Sequence, residues 1–175
     1  MKKTLWLVTL TTLCWSGEGI VVPLSFTSDF KQTITNTKKD VISYEGSLLF
    51  SQKEQIKWRY VKPTKKEVCT NGREMVVVDH DLEQVSHYVL QKGFHLASIL
   101  AQAKPYQKEV YLARYEGKQY TIKLNAKGQL ESVAYFDDLE NKVQIIFPHM
   151  KYQNHTIPLK KMQCDYPMGY DMIRG

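Results

Sequence analysis

Apolar and polar residues alternate along most of the chain. Phe26, Phe30 and Ile34 fall on one face of an extended segment, and Thr27, Asp29, Lys31 and Thr33 fall on the other. That apolar spacing also fits a helix, but the threonines and the polar face favour a strand. Tyr44, Leu48 and Phe50 alternate with Glu45, Ser47 and Ser51, and Ile56, Trp58 and Tyr60 alternate with Lys57 and Arg59 until Pro63 ends the run. Asn71-Gly72 predicts a hairpin between strands at 67–70 and 73–78, and Asp79-His80-Asp81 turns the chain into a strand at 83–90. Residues 94–103 depart from this rhythm. They put Leu96, Ile99, Leu100 and Ala103 at helical spacing with Pro105 just beyond, which predicts a short amphipathic helix. Alternation resumes at 109–115, 119–124, 130–136 and 143–147, broken by turns at Glu116-Gly117, Ala126-Lys127-Gly128 and Glu140-Asn141. A last strand is expected from about Pro158 to Cys164. The fold class this implies is mainly β (α+β): a strongly curved antiparallel sheet or partial barrel, with its one helix burying an apolar stripe on the concave face.

The N-terminus follows a different rule. Lys2 and Lys3 precede an apolar run from Leu5 to Trp15, and small residues follow at Ser16-Gly17. This is the order of a cleavable secretory signal, and the run falls short of the roughly 20 residues a bilayer span needs. The expected division is 1–16 signal peptide, with cleavage after Gly19 as the alternative, and 17–175 as one domain. Cys14 follows Leu13, where a lipid-attachment signal requires a small residue, so the cysteine is expected to leave with the signal. Removing Lys2 and Lys3 takes the formal charge from +6 to +4. Lys38-Lys39, Lys65-Lys66 and Lys160-Lys161 are isolated pairs, far from the dense basic face of a nucleic-acid binder.

Two cysteines remain after processing, Cys69 and Cys164. In an oxidising compartment they predict a disulfide; two separate thiols are the alternative, because sequence alone does not set them side by side. No catalytic constellation is present. His80, His87, His95, His149 and His155 form no metal-ligand spacing, Asp79-His80-Asp81 has turn composition, and the carboxylates Asp137, Asp138 and Glu140 sit where a turn is expected. The residues therefore predict no enzyme, no metal and no cofactor.

One ordered set of motifs does point to a function. Ser25-Phe26-x3-Phe30-x-Gln32 precedes Tyr44-Glu45-Gly46-Ser47-Leu48-Leu49-Phe50, then Ile56-Lys57-Trp58-Arg59-Tyr60-x2-Pro63, Asn71-Gly72 and Asp79-His80-Asp81-Leu82-Glu83-Gln84-Val85. Pro167-x-Gly169-Tyr170-Asp171 comes near the end. In order and spacing the chain resembles the LolA-type periplasmic carriers of outer-membrane lipoproteins over nearly its whole mature length. The resemblance implies an unclosed antiparallel barrel whose apolar concave face lies under helices, with acyl chains held between sheet and lid. It implies a monomer whose partners are acylated lipoproteins, an ATP-driven releasing complex in the inner membrane and, where one exists, an outer-membrane acceptor. Acyl chains cost about 0.8 kcal/mol per methylene to expose to water, so such cargo needs an apolar cavity.

Alternation then nominates the lining: Leu48 and Phe50, Ile56, Trp58 and Tyr60, and Val77 with Met75, unless the opposite parity of Val76 and Val78 applies. Leu96, Ile99 and Leu100 are the lid's inward stripe. Ordinary core is the competing reading for each of these positions. The chain also departs from the family pattern. Gln52-Lys53 stands where the family carries an Arg-Pro pair whose arginine holds the lid, making Gln52 or Lys53 the lid-gating candidate. Few residues precede Ser25, Pro23 among them, so the family's N-terminal lid helix is expected to be missing. The segment after Phe94 is also short, so fewer lid helices are expected there. Two rival functions use the same fold: a sensor or regulatory domain that binds exposed protein segments, and an outer-membrane acceptor anchored through Cys14.

Overall fold

The computed structural model describes residues 19–52, 54–90 and 95–174. The signal segment 1–16, Lys53 and Phe94 lie outside the described residues. The strands expected from alternation form in order: β1 (Ser25–Thr35), β2 (Val41–Ser51), β3 (Gln55–Lys62), β4 (Lys66–Thr70), β5 (Glu74–Asp79) and β6 (Gln84–Val89). Helix α1 (Leu96–Ala101) follows, then β7 (Lys104–Gln107), β8 (Val110–Tyr115), β9 (Lys118–Leu124), β10 (Leu130–Phe136), β11 (Lys142–Ile146) and β12 (Lys151–Gln153). A four-residue helical turn, α2 (Leu159–Met162), and β13 (Asp171–Arg174) close the chain.

Among the described residues these strands make one sheet in the order β13-β6-β5-β4-β3-β2-β1-β11-β10-β9-β8-β7, with β12 added to β1. Neighbours are antiparallel except β13, which runs parallel to β6. The two end strands are not paired with each other, so the barrel stays unclosed, as expected. Sequential hairpins account for most of the order. The exceptions are β13 beside β6, β12 beside β1, and the β1–β11 pairing, which joins the two meanders and lets the sheet curl around one core.

Two segments differ from the sequence expectation. Pro158 to Cys164 is not a strand. Pro158 carries no N–H for a ladder, Leu159 and Met162 sit one helical turn apart with Met162 buried, and Lys161 N donates to Pro158 O at 2.9 Å. Lys104–Gln107, expected only as chain beyond the helix, forms edge strand β7, with Pro105 at a register shift.

The 154–170 stretch is a strap across the convex face. The expected disulfide fastens it: Cys69 in β4 bonds Cys164 across 95 residues of sequence. Beside it Lys57 Nζ and Glu67 Oε2 meet at 2.8 Å, with their side chains only 7% and 6% exposed. Glu67 also accepts from Arg59 Nε at 2.9 Å and from Asp165 N at 3.1 Å, while Lys57 donates to Gln163 O at 2.8 Å. Burial pushes the Glu67 carboxyl up, but its bonds to Lys57, Asp165 and Arg59 outweigh this and hold it below its ordinary value.

On the concave side the sequence solves a crowding problem at Gly46. Gly46 pairs with Phe30 and Tyr60 in the ladder, and a Cβ there would collide with Arg59 O and with the Phe30 ring. The Phe30 ring fills that space and meets Trp58 and Tyr60 edge-on, with centroids 4.9 and 5.0 Å away.

These packings make two substitutions informative. Gly46→Ala should destabilise the fold by about 3 kcal/mol or more, at the upper end of overpacking costs, as measured by urea denaturation. Glu67→Gln should cost about 3 kcal/mol at neutral pH, because Lys57 then stays buried without its counter-charge. The folded-state pKa of Glu67 is depressed, so its contribution is complete above the carboxyl's ordinary 4.5 and is lost as pH falls through the folded value. The stability gap between variant and wild type should therefore narrow on acidification, in denaturant titrations at stepped pH.

Candidate functional site

Register assigns every strand residue a face. Phe26, Phe30, Gln32 and Ile34 of β1 point inward. Their ladder partners carry that face to Leu48 and Phe50, to Ile56, Trp58 and Tyr60, and on the other side to Val143 and Ile145. Helix α1 lies over one part of this concave surface. Leu96, Ile99 and Leu100 are fully buried there, in one core with Phe26, Leu48, Phe50, Ile122 and Leu130. Phe26 and Phe50 stack with centroids 4.9 Å apart.

Next to the helix the packing opens into a cavity of about 270 Å³. Ile56, Trp58 and Tyr60 line it together with Val68, Met75 and Ile145, and Gln32, Thr70, Tyr135 and His95 supply the polar atoms. Of the nominated residues, then, β3 contributes its three to the cavity wall. Leu48, Phe50 and the helix stripe form the dry core beside it. Val77 is half-buried on the concave face, in the row Trp58–Val68–Val77, so register settles the parity in favour of Met75 and Val77. Val76 and Val78 face the other way, and Val78 is fully buried on the convex side.

The wall contains no Lys, Arg, Asp or Glu. Tyr60 and Tyr135 have their hydroxyls desolvated: burial, then neighbouring tyrosines, raises the Tyr60 pKa well above normal. Burial, then Tyr120 and Asp137, pushes Tyr135 up to about 12. Both rings stay neutral through the physiological range. Tyr60 donates its hydroxyl to Gln32 Oε1 at 3.4 Å, and its ring meets Tyr44 edge-on at 5.7 Å. Such a surface suits an apolar guest with few polar atoms.

Among the described residues, Glu54 rather than the candidate Gln52 reaches the helix. Gln52 is exposed, with its backbone N–H donating to Leu24 O, and Lys53 lies outside the described residues. Glu54 makes the contact instead. Its Oε2 bonds His95 Nδ1 at 2.6 Å, immediately before the helix, and its Oε1 accepts from Ser98 Oγ at 3.0 Å. Glu54 holds a positive φ of 65° in the tight β2–β3 turn, which aims the carboxylate across the sheet edge. Gly72 leaves room for it: at φ +87°, a Cβ there would stand 2.7 Å from Glu54 Oε2. The Asn-Gly hairpin therefore serves a contact between two other segments. No local sequence signal distinguishes Glu54 from an ordinary surface glutamate. Gln32 and Ile145 could have been found by extending the parity of β1 and β11.

The carboxylate clusters at the turns have structural partners. Asp79 Oδ1 accepts from Asp81 N and Leu82 N, and Asp137 caps its own turn through Leu139 N and Asn141 N. Glu67, Cys69 and Cys164 lie close together, but the two sulfurs are bonded to each other. Residues 19–24, before β1, form no helix.

Comparison with known proteins agrees with this architecture. The family model "Outer membrane lipoprotein carrier protein LolA" matches residues 24–160. A Campylobacter jejuni protein named outer-membrane lipoprotein carrier protein is 36% identical, with 99% of this chain and all of that protein aligned. A Wolinella succinogenes protein of the same name is 31% identical over 86% of this chain and 87% of its own length. Among solved structures, an uncharacterized conserved protein from Thermus thermophilus superposes with a TM-score of 0.54 at 10% identity, covering 88% of this chain and 92% of that one. A LolA superfamily protein from Nitrosomonas europaea gives 0.50 at 10% identity, covering 85% and 94%. At that identity the two structures speak for the fold alone.

Helix α1 has six residues and no side-chain cap, too short to persist without tertiary support. Glu54→Gln should therefore speed hydrogen exchange at the Ile99 and Leu100 amides about tenfold, equivalent to ~1.4 kcal/mol of opening free energy, read by mass spectrometry or NMR.

Proposed function

The chain belongs to the LolA family of outer-membrane lipoprotein carrier proteins, and on that footing we propose that it binds the acyl chains of lipoproteins against its concave face and carries them across the periplasm from the inner to the outer membrane. The observation that carries this reading is the largely apolar cavity, free of Lys, Arg, Asp and Glu, between the sheet and a short helix held by polar contacts to Glu54.

The physics of such a carrier is an exchange of apolar partners. Leu96, Ile99 and Leu100 share one buried core with Phe26, Leu48 and Phe50 when the helix is down. A guest chain that displaces the helix takes over the same surface, so apolar burial against the sheet is conserved while the methylenes gain ~0.8 kcal/mol each by leaving water. Loading and release are then separated by a small free-energy difference rather than by a deep well. Glu54 sets the threshold for opening. Its two hydrogen bonds must break as the helix lifts, and water can replace them at the half-exposed carboxylate. In this reading Glu54 replaces Gln52 and Lys53 as the lid-gating residue.

Export through the N-terminal signal belongs to the same proposal. Ile20 packs into the hydrophobic core and is retained whether cleavage falls after Ser16 or after Gly19. Loading is assigned to an inner-membrane ATP-driven releasing complex, and delivery to the outer membrane or an acceptor there.

The test is native mass spectrometry of protein purified from the periplasm. Wild type should carry acylated lipoprotein or lipid adducts. Val68→Glu, a half-buried wall position, should lose them while keeping its circular dichroism spectrum. Folded wild-type protein that recovers no acylated species, and that binds no acyl chain added in vitro, would sink the proposal.

A further inference from the structure

The Lys160-Lys161 pair stands alone in the sequence but not in the fold. The helical turn α2 carries it onto the convex face, where the strap and strands β2 and β3 border a cleft of about 460 Å³. Lys57 and Arg59 of β3 line the same cleft, with Ser47 and Leu49 of β2. Lys57 and Arg59 alternate with Ile56, Trp58 and Tyr60, so the cleft and the concave cavity back onto opposite faces of one strand. Its charges do not balance. Glu67 Oε2 engages Lys57, and its Oε1 engages Arg59 only through Nε. Among the described residues no acid pairs with the terminal nitrogens of Arg59, with Lys160 or with Lys161, and Asp165 is the one carboxylate lining the cleft. Four cations facing Glu67 and Asp165 leave a surplus of two positive charges. The Cys69–Cys164 bond holds the strap's backbone against β4, so both lysines stay tethered beside Arg59. Like charges converging in a walled cleft raise the potential for an anion.

We infer that this cleft binds a phosphate ester. Several unengaged donors of different geometry select that group. The free edge of the Arg59 guanidinium matches two oxygens of a tetrahedral anion, and the lysines serve as mobile point charges for the others. A dianionic ester neutralises the whole surplus, whereas a carboxylate neutralises half of it. The remaining walls fit the organic part of the ester. Ser47 offers a hydroxyl, and half-buried Leu49 offers an apolar surface for carbon. At about 30 Å³ per water-sized group the cleft holds roughly fifteen such groups, room for a phosphate together with a glycerol. The same chemistry exists as a soluble phosphate ester and as the headgroup of an anionic phospholipid. The cleft lies on the face away from the cavity, so the inference stands independently of the carrier reading.

The test uses the full mature protein in phosphate-free buffer. Calorimetric titration with glycerol phosphate should show saturable binding, with inorganic phosphate competing and acetate not. Lys160→Glu combined with Lys161→Glu should lower the affinity about tenfold or more. Lys38→Glu combined with Lys39→Glu makes the same change in net charge at the β1–β2 turn, away from the cleft, and should bind like wild type. All four lysines are exposed, so both double variants should keep the wild-type circular dichroism spectrum. Cosedimentation with phosphatidylglycerol vesicles, against phosphatidylcholine alone, identifies the source. Sedimentation that glycerol phosphate reverses, and that the Lys160→Glu, Lys161→Glu variant lacks, assigns the cleft to lipid headgroups. Calorimetric binding without sedimentation assigns it to soluble esters. Wild type that neither binds glycerol phosphate nor sediments with phosphatidylglycerol overturns the inference. An equal loss in the two double variants also overturns it, since net charge and not a site would then be responsible. Acyl cargo seen by native mass spectrometry should be unchanged in the Lys160→Glu, Lys161→Glu variant, so a failure here leaves the carrier reading standing.

Discussion

A single sheet that curls without closing leaves an apolar concave face that something must cover, and the other features of this protein answer to that constraint. Had β7 and β13 paired, the sheet itself would have enclosed that face. Instead a six-residue helix supplies Leu96, Ile99 and Leu100, enough to make a dry core over Phe26, Leu48 and Phe50 but not enough to cover the whole face. The gap at its edge is the cavity. One deficit of cover thus accounts for the site and its access to solvent.

Such an arrangement requires a rigid back. The convex strap provides it, with a disulfide spanning 95 residues and a Glu67 carboxylate shared among Lys57, Arg59 and the Asp165 amide. These contacts join the last part of the chain to β3 and β4, the strands that bear Trp58, Tyr60 and Val68. The face that must yield is held by a different chemistry. Hydrophobic burial of the helix is exchangeable for burial of a guest, and the polar contacts of Glu54 lie near enough to water to be replaced. The strong, buried and covalent contacts are on the convex side, and the replaceable ones are on the concave side.

How much of this is legible in the sequence depends on the range of the interaction. Period-two alternation marks nearly every strand from β1 to β11, because it reflects only whether neighbouring residues face the same side. Helical spacing at Leu96, Ile99 and Leu100 and the Asn71-Gly72 turn are legible for the same reason. The unclosed sheet with a helix on its concave face and the Cys69–Cys164 pair can be anticipated as well. Lys57, by contrast, looks like any outward lysine, since nothing local says that a segment far along the chain crosses above it. Pro158 to Cys164 reads as a strand and is not one, because its shape is set by that crossing.

The functional details lie further beyond reach. Met75–Val78 offers apolar residues at both parities, and only pairing with β4 decides that Met75 and Val77 face the concave side. Glu54 looks like a solvated turn residue until the Gly72 hairpin and the Ser98 helix are brought beside it. Which elements form and which residues can be buried follow from local geometry and solvation, and both can be read from the chain alone. Which face each strand shows, what covers it and which polar side chain holds the cover became definite only in the folded molecule. Those outcomes depend on register and on contacts between segments distant in the chain.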